Sequence, residues 1–157
     1  MEALPTKRML VVDDVPDILS LFRDASRRIR GYHLDVVTEA NPLRAIELLG
    51  SVDFDLVVSD VRMREADGVA VLEAARDKRP NAIRVLMTGY HTIPAELERV
   101  LKMNADAYLH KPIAVSEVVR LMRALLAREP ETLRERQQHA RMLERIAAVS
   151  NEDVRVV

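Results

Sequence analysis

The sequence predicts an α/β domain built on a doubly wound parallel β-sheet, with helices on both faces. Two observations lead to this class. Five short apolar runs have the character of strands, and each is followed by a segment in which apolar residues recur at helical spacing. Strict alternation of strand and helix, here over about 125 residues, implies right-handed crossovers between parallel strands, with the crossover helices covering the sheet.

The five predicted strands are short and rich in β-branched residues. The third is almost continuously apolar, as expected for a strand that is covered on both faces. Open sheets of this kind bind their ligands at the carboxyl ends of the strands, so functional residues are expected there. The predicted strands are Met9 to Val12, Leu34 to Thr38, Phe54 to Ser59, Ile83 to Met87 and Ala107 to Leu109.

Five helices are predicted between and after these strands. The first is expected to end at a C-cap glycine, Gly31. The second is expected to begin with Asn41 as N-cap and Pro42 as its first residue, and to turn three side chains toward the core: Leu43, Ile46 and Leu49. The other predicted bounds are Asp17 to Ile29, Gly68 to Arg79, about Ile93 to Met103, and Val115 to Ala127.

The composition excludes several classes of function. The 157 residues fit one domain with a short appendage. A balance of 24 basic and 25 acidic residues gives no reason to expect nucleic acid or an anionic membrane as the main partner. The chain has no cysteine, which excludes disulfides, thiolate zinc sites and cysteine nucleophiles. Without a signal peptide or an apolar run near the ~20 residues of a membrane span, a soluble, cytoplasmic protein is expected.

Charged and hydroxyl side chains stand at the carboxyl ends of four predicted strands. Asp13 and Asp14 follow the first, Asp60 the third, Thr88 the fourth and Lys111 the fifth. Taken singly, each has an ordinary interpretation as a turn, cap, loop or surface residue. Taken together, three carboxylates at one sheet edge would repel one another without a cation. A few hard oxygen ligands with room for water suit Mg²⁺ better than Ca²⁺, so a Mg²⁺ site is expected.

The segments that carry these residues resemble the receiver domain of bacterial two-component response regulators. They are MLVVDD at 9–14, DLVVSDVRM at 55–63, DG at 67–68, RVLMTGY at 84–90 and AYLHKP at 107–112. They stand in the order of the family, and the resemblance covers residues 8 to 128. It implies a flavodoxin-like (βα)5 fold with strand order 2-1-3-4-5, a receiver domain over residues 1–128 and a C-terminal helical extension over residues 129–157.

The resemblance also implies a role for each residue at the strand ends. Asp60 would be the phosphoacceptor, a carboxylate nucleophile that forms an acyl phosphate. Asp14 would bind Mg²⁺ directly, and Asp13 would act through water or by positioning. Arg62 would offer the metal its backbone carbonyl. Lys111 would pair with a phosphoryl oxygen.

The resemblance also implies a switch pair, and the chain departs from the family pattern at three positions. Thr88 would move toward the phosphoryl group and Tyr108 would rotate into the space behind it, although Tyr108 equally fits an ordinary strand tyrosine. Arg64 stands where many receivers have proline, which would loosen the loop after Asp60. Arg62 and Tyr90 are bulky at positions that influence, in the family, how water reaches the acyl phosphate.

Three functions are compared with the residues of this chain. The leading one is a receiver that is phosphorylated by a sensor histidine kinase or a phosphotransfer protein and then switches its binding to a downstream protein. An aspartate-nucleophile phosphatase would need a second aspartate two residues after Asp60, where Arg62 stands. A pseudo-receiver would lack one of the site residues, all of which are present. The chain also fits the N-terminal receiver of a larger regulator, because the last 30 or so residues are too few for an output domain.

The tail beyond Pro130 is predicted to form a separate helix. Proline interrupts the preceding helix, and Thr132 with Glu135 fits a capping box. Its apolar stripe favours packing on the same domain or on a second subunit, so a homodimer is one expected partner. The alternative is a frayed, solvated tail. Because basic and acidic residues alternate along it, direct nucleic-acid binding is not expected.

Overall fold

The computed structural model describes residues 3–61, 63, 68–89 and 104–127. Within these ranges the chain forms five strands and four helices, and a helix follows every strand except the fourth, whose predicted helix lies outside the described residues. In chain order they are β1 (Thr6–Val12), α1 (Pro16–Ser26), β2 (His33–Glu39), α2 (Pro42–Ser51), β3 (Leu56–Asp60), α3 (Gly68–Lys78), β4 (Ile83–Thr88), β5 (Ala107–His110) and α4 (Val115–Leu126).

The strands form one parallel sheet in the order β2-β1-β3-β4-β5, which confirms the predicted order. The chain passes from β1 to β2 on one side of β1 and then to β3 on its other side. The carboxyl ends of β1 and β3 are therefore neighbours at one edge of the sheet. In register, Val12 pairs with Ser59, Asp60 with Met87, and Thr88 with His110. The residues that end β1, β3, β4 and β5 are therefore brought to the same edge of the sheet, where a ligand site is expected.

Two apolar layers hold the sheet between helices. On one face, α1 and α4 pack against residues that alternate along the strands, including Met9, Val11, Val58, Val85 and Met87. On the other face, α2 and α3 pack against the intervening residues, including Leu10, Val12 and Val57. Since side chains alternate across a strand, each central strand is apolar on both faces. All five residues of β3 are buried, as the sequence predicts.

Two helix predictions need correction. Leu43 was expected in the core but is 50% exposed, because it lies two positions before buried Ala45, on the opposite side of the helix. Gly31 is not the C-cap of the first helix, since α1 already ends at Ser26. Gly31 instead lies in the connection to β2 with φ 91°, a conformation that favours glycine. The predicted start of α2 is confirmed: the Asn41 side chain accepts a hydrogen bond from the Leu43 N–H at 2.9 Å.

Strand bounds differ from the sequence prediction where tertiary pairing extends or trims a strand. β1 begins three residues early because Thr6–Arg8 pair with His33–Asp35. β3 begins at Leu56 rather than Phe54 and runs through Asp60. In the described residues, no helix combines the length and apolar character that crossing a bilayer requires. The helices predicted at about 93–103 and beyond residue 129 lie outside the described residues.

Candidate functional site

Asp13 lies buried at the end of β1 with both carboxylate oxygens engaged. Its N–H donates to the Glu39 carbonyl at 3.2 Å, which continues the pairing of β1 with β2. Its Oδ1 accepts from the N–H of Val15 at 2.9 Å, and its Oδ2 accepts from Lys111 Nζ at 2.8 Å. The residue is 0% exposed. A buried carboxylate is costly unless it is paired, and these contacts supply the pairing.

Lys111 connects the ends of β1 and β3. Its N–H donates to the Thr88 carbonyl at 2.8 Å, which fixes its backbone beside β4. Its Nζ lies 2.8 Å from Asp13 Oδ2 and 3.3 Å from Asp60 Oδ1. Burial acts to lower the pKa of the ammonium, but the hydrogen bond and charge of Asp13, with a smaller contribution from Asp60, raise the pKa above its ordinary value. Lys111 is therefore a fixed positive charge between two carboxylates.

Asp60 is the last residue of β3 and is 8% exposed. Burial, and then the negative charge of Asp13, raise the pKa of its carboxyl group above the ordinary value. The charge and hydrogen bond of Lys111 oppose this shift without cancelling it. The surroundings of Asp60 therefore disfavour its ionised form unless a further positive charge is present nearby.

Three carboxylates cluster at this edge of the sheet. Asp13, Asp14 and Asp60 each offer one oxygen, and the three oxygens lie within 4.8 Å of one another. Asp14 is the most exposed of the three. With Lys111, three negative charges and one positive charge leave a formal charge of −2. The cluster therefore has the hard ligands and the charge that suit a divalent cation.

The spacing of these oxygens fits Mg²⁺ with a small adjustment. Ligands of an octahedral Mg²⁺ at 2.0–2.1 Å are about 3–4 Å from one another. The oxygens of the cluster already lie within 4.8 Å of one another, so they could bind one cation directly or through a water molecule. Both oxygens of Asp13 already accept hydrogen bonds, which favours an indirect or positioning role for that residue.

Gly68, the first residue of α3, is a site residue to which the sequence analysis gave no role. A Cβ at this position would collide with the carbonyl oxygen of Asp60, and it would lie 2.8 Å from the Asp60 carbonyl carbon. The Gly68 N–H donates to the Val61 carbonyl at 2.7 Å. Only glycine permits this approach. The one signal in the sequence was the DG dipeptide at 67–68. The closeness of Gly68 to Asp60 becomes apparent only in the folded chain.

Thr88 and Tyr108 stand on β4 and β5 as predicted. Thr88 is 1% exposed and lies one residue beyond Met87, the register partner of Asp60. Tyr108 is partly buried and in register with Leu86. It packs against an apolar cluster formed by Val61, Val69, Leu72 and Leu86. Tyr108 therefore shares a cluster with the residue that directly follows Asp60.

The structure brings together four of the predicted site residues: Lys111 contacts Asp13 and Asp60, and Asp14 belongs to the same carboxylate cluster. Thr88 adjoins them through its carbonyl contact with Lys111. Arg62, the predicted carbonyl ligand, lies outside the described residues. The two other departures, Arg64 and Tyr90, also lie outside them.

Known proteins resemble this chain over the same region. The response regulator protein PilR of Pseudomonas aeruginosa is 29% identical over 126 residues, 80% of this chain and 27% of PilR. The transcriptional activator protein PfeR of the same organism is 32% identical over 128 residues, 80% of this chain and 40% of PfeR. The crystal structure of response regulator protein TrrA from Thermotoga maritima, in complex with Mg²⁺ and BeF, is 31% identical with a TM-score of 0.63. The match covers 76% of this chain and 98% of the TrrA chain.

The region of similarity coincides with the described fold. The chain spans less than half the length of PilR and of PfeR, and it matches the receiver portion of such regulators. A family model of the response regulator receiver domain matches residues 9–123, a range that contains every residue of the site. The chain belongs to the response regulator receiver domain family of two-component signalling.

Proposed function

We propose that this domain accepts a phosphoryl group on Asp60 from a sensor histidine kinase or a phosphotransfer protein, in a Mg²⁺-dependent reaction. One observation carries the proposal: Lys111 Nζ lies between Asp13 and Asp60, at 2.8 and 3.3 Å. The Lys111 ammonium is thereby held against the nearly buried carboxylate of Asp60, and two further carboxylates belong to the same cluster. Such an arrangement suits a nucleophile whose charge is balanced during phosphoryl transfer.

Mg²⁺ is proposed to be held by Asp13, Asp14 and Asp60, with the backbone carbonyl of Arg62 as a further ligand implied by the family resemblance. When bound, the cation supplies positive charge that offsets the charge of the entering phosphoryl group. The oxygen-only donor set and the formal charge of −2 support this assignment. The TrrA structure, crystallised with Mg²⁺ and BeF, supports it from a relative.

The reaction is the displacement of a leaving group at phosphorus by a carboxylate. An oxygen of Asp60 forms a bond to phosphorus while the bond from phosphorus to the donor nitrogen breaks, and the donor keeps that electron pair. The product is an acyl phosphate, which carries more negative charge than the carboxylate it replaces. Lys111 is proposed to pair with one phosphoryl oxygen, and Thr88 to donate its hydroxyl hydrogen to another. Both residues already adjoin the carboxylate cluster.

Phosphorylation is proposed to change the contacts of the domain with a downstream protein. Thr88 would be drawn toward the phosphoryl group, and Tyr108 would respond, since it lies on the adjacent strand and shares a cluster with Val61. The only chemistry expected is self-phosphorylation and slow loss of the phosphoryl group, in the cytoplasm. Residues 129–157 are proposed to form a helical extension that packs on this domain or pairs two copies. Since PilR and PfeR are much longer, the domain is also suited to be the receiver part of a larger regulator.

The test is the mass of the intact protein after incubation with acetyl phosphate and Mg²⁺. The parent protein is expected to gain one phosphoryl group, and Asp60→Asn is expected to gain none. Asp53→Asn is the matched control, because Asp53 is an exposed aspartate that precedes the same strand. Omitting Mg²⁺ or adding EDTA is expected to abolish the adduct.

Two results would contradict the proposal. One is an adduct of undiminished amount in Asp60→Asn, which would assign the acceptor to another residue. The other is full phosphorylation of the parent protein in EDTA, which would remove the role of the metal.

A further inference from the structure

The peptide group that joins Asp60 to Val61 is held at both of its polar ends. The hydroxyl of Ser59 donates to the Asp60 carbonyl oxygen at 3.1 Å. The N–H of Val61 donates to the Met87 carbonyl at 2.9 Å. Because a peptide group is planar, fixing its oxygen and its N–H fixes the plane and therefore the position of the Asp60 Cα. The Asp60 carboxylate projects from that atom.

Ser59 is an unusual residue for its surroundings. It is 0% exposed and stands in register with Val12 on one side and Leu86 on the other. A buried hydroxyl among apolar neighbours needs a hydrogen-bond partner, and the partner here is the carbonyl of the nucleophile itself. Alanine or valine would fill this strand position without any polar group to satisfy.

The two faces of the sheet separate Ser59 from the carboxylate of Asp60. Side chains of consecutive strand residues point to opposite faces, so Ser59 lies toward α2 and α3, and Asp60 lies toward Lys111. Ser59 therefore acts on Asp60 through the backbone and does not contact the reacting atoms. Gly68 lies against the same carbonyl oxygen, because any Cβ at position 68 would collide with it.

We infer that Ser59 is a positioning residue for phosphoryl transfer: its hydroxyl orients the Asp60–Val61 peptide and so fixes the direction in which the Asp60 carboxylate points. The inference rests on the proposed function of Asp60. Losing the bond leaves the peptide plane held by one end only. The carboxylate then spends less time in line with the incoming phosphorus, and small misplacements of reacting groups have large effects on rate.

The experiment compares three substitutions of Ser59 in the full chain. Ser59→Ala removes the hydroxyl. Ser59→Thr keeps the hydroxyl and adds a methyl group, and Ser59→Val has the shape of threonine without the hydroxyl. The rate constant of phosphorylation is measured by intact mass with acetyl phosphate at saturating Mg²⁺, and stability is measured by urea unfolding. Val57→Ala, a change two residues earlier on the same face, reports what loss of stability alone does to the rate.

A positioning role predicts that the rate follows the hydroxyl and not the stability. Ser59→Ala and Ser59→Val are expected to react about tenfold more slowly than the parent protein, and Ser59→Thr within about twofold of it. Val57→Ala is expected to be less stable but to react at the parent rate. Equal rates for the threonine and valine variants, or a parent rate in Ser59→Ala, would overturn the inference while leaving Asp60 as acceptor. No adduct on the parent protein would overturn the proposed function, and this inference with it.

Discussion

Gly68→Ala is expected to damage the site with only a modest loss of stability. The added Cβ would lie 2.8 Å from the Asp60 carbonyl carbon, whereas the optimal separation of two carbon atoms is about 3.5–4.0 Å. Either the end of β3 or the start of α3 must therefore move by about 1 Å. Neither moves freely, because the Gly68 N–H is bonded to the Val61 carbonyl at 2.7 Å and the Val61 N–H to Met87 at 2.9 Å.

Two effects of opposite sign set the magnitude. Overpacking costs about 1–3 kcal/mol, and replacing glycine by alanine in a helix returns up to about 1 kcal/mol. A net destabilisation of about 1–2 kcal/mol is expected. Since the clash falls on Asp60, the proposed phosphoacceptor, a displacement of this size is expected to slow phosphorylation by about 10- to 100-fold. The rate should fall by far more than the loss of stability explains.

Gly50→Ala is the matched control. A Cβ on Gly50, in α2, would meet only the Lys78 side chain, at 3.6 and 3.9 Å, which is ordinary contact. This variant is expected to be stabilised by about 0.4–1 kcal/mol and to react at the parent rate. Urea unfolding and phosphorylation with acetyl phosphate and Mg²⁺ would be measured on both variants. A Gly68→Ala protein that reacts like Gly50→Ala would refute the contact between Gly68 and the nucleophile as a constraint on function.

Four further outcomes are expected from the same site and the tail. In metal-free buffer, Asp60→Asn is expected to be more stable than the parent at neutral pH, because the pKa of Asp60 is raised in the folded state. The parent then loses stability as pH rises through that pKa, so the difference in stability between Asp60→Asn and the parent should vanish in acid. A difference that persists in acid would contradict this prediction. Lys111→Met is expected to lose about 3 kcal/mol, since two carboxylates lose their counter-charge. The Lys111 pKa is raised, so its contribution is present below its unfolded pKa and lost as pH rises through the folded one. Unfolding curves at neutral and alkaline pH would check that the difference from the parent shrinks. Asp14→Ala is expected to bind Mg²⁺ more weakly in an NMR titration, with equal or greater stability; unchanged affinity would remove Asp14 from the ligand set. Deleting residues 130–157 is expected to lower the solution mass beyond the deleted residues if the tail pairs two copies. An unchanged oligomeric state, with no protected amides in the intact tail, would contradict an association helix.

Most of the fold could be predicted because strand and helix periodicities are local signals. The alternation of apolar runs indicated a parallel sheet, and the buried third strand followed from its continuous apolar character. The strand order came from the family resemblance and is confirmed. The errors arose where the answer depended on tertiary contacts. The exposure of Leu43 depends on how α2 is rotated on the sheet, and the early start of β1 depends on its pairing with β2.

The clustering of the acidic residues and Lys111 at one sheet edge was also predictable, but its geometry was not. The rule that ligands bind at strand carboxyl ends brought Asp13, Asp60 and Lys111 to one edge before any distance was known. The sequence could not reveal that Lys111 contacts both carboxylates. Nor could it reveal Gly68 or Ser59, because a steric gap and a bond to a carbonyl leave no pattern of charge or hydropathy.

The charges at the strand ends support the proposed switch at this edge of the sheet. Asp60 lies where burial and the charge of Asp13 disfavour its ionised form, and Lys111 offsets only part of that cost. A divalent cation would balance the two remaining negative charges, and a phosphoryl group would then bring new negative charge against the same ammonium. Each event changes the electrostatic balance beside Thr88, whose carbonyl accepts the Lys111 N–H. Thr88 in turn continues β4, on which Leu86 packs with Tyr108 and with Val61. These contacts connect the carboxylate cluster with the apolar cluster around Tyr108 through β4, and they support the proposal that phosphorylation of Asp60 affects the Tyr108 side chain.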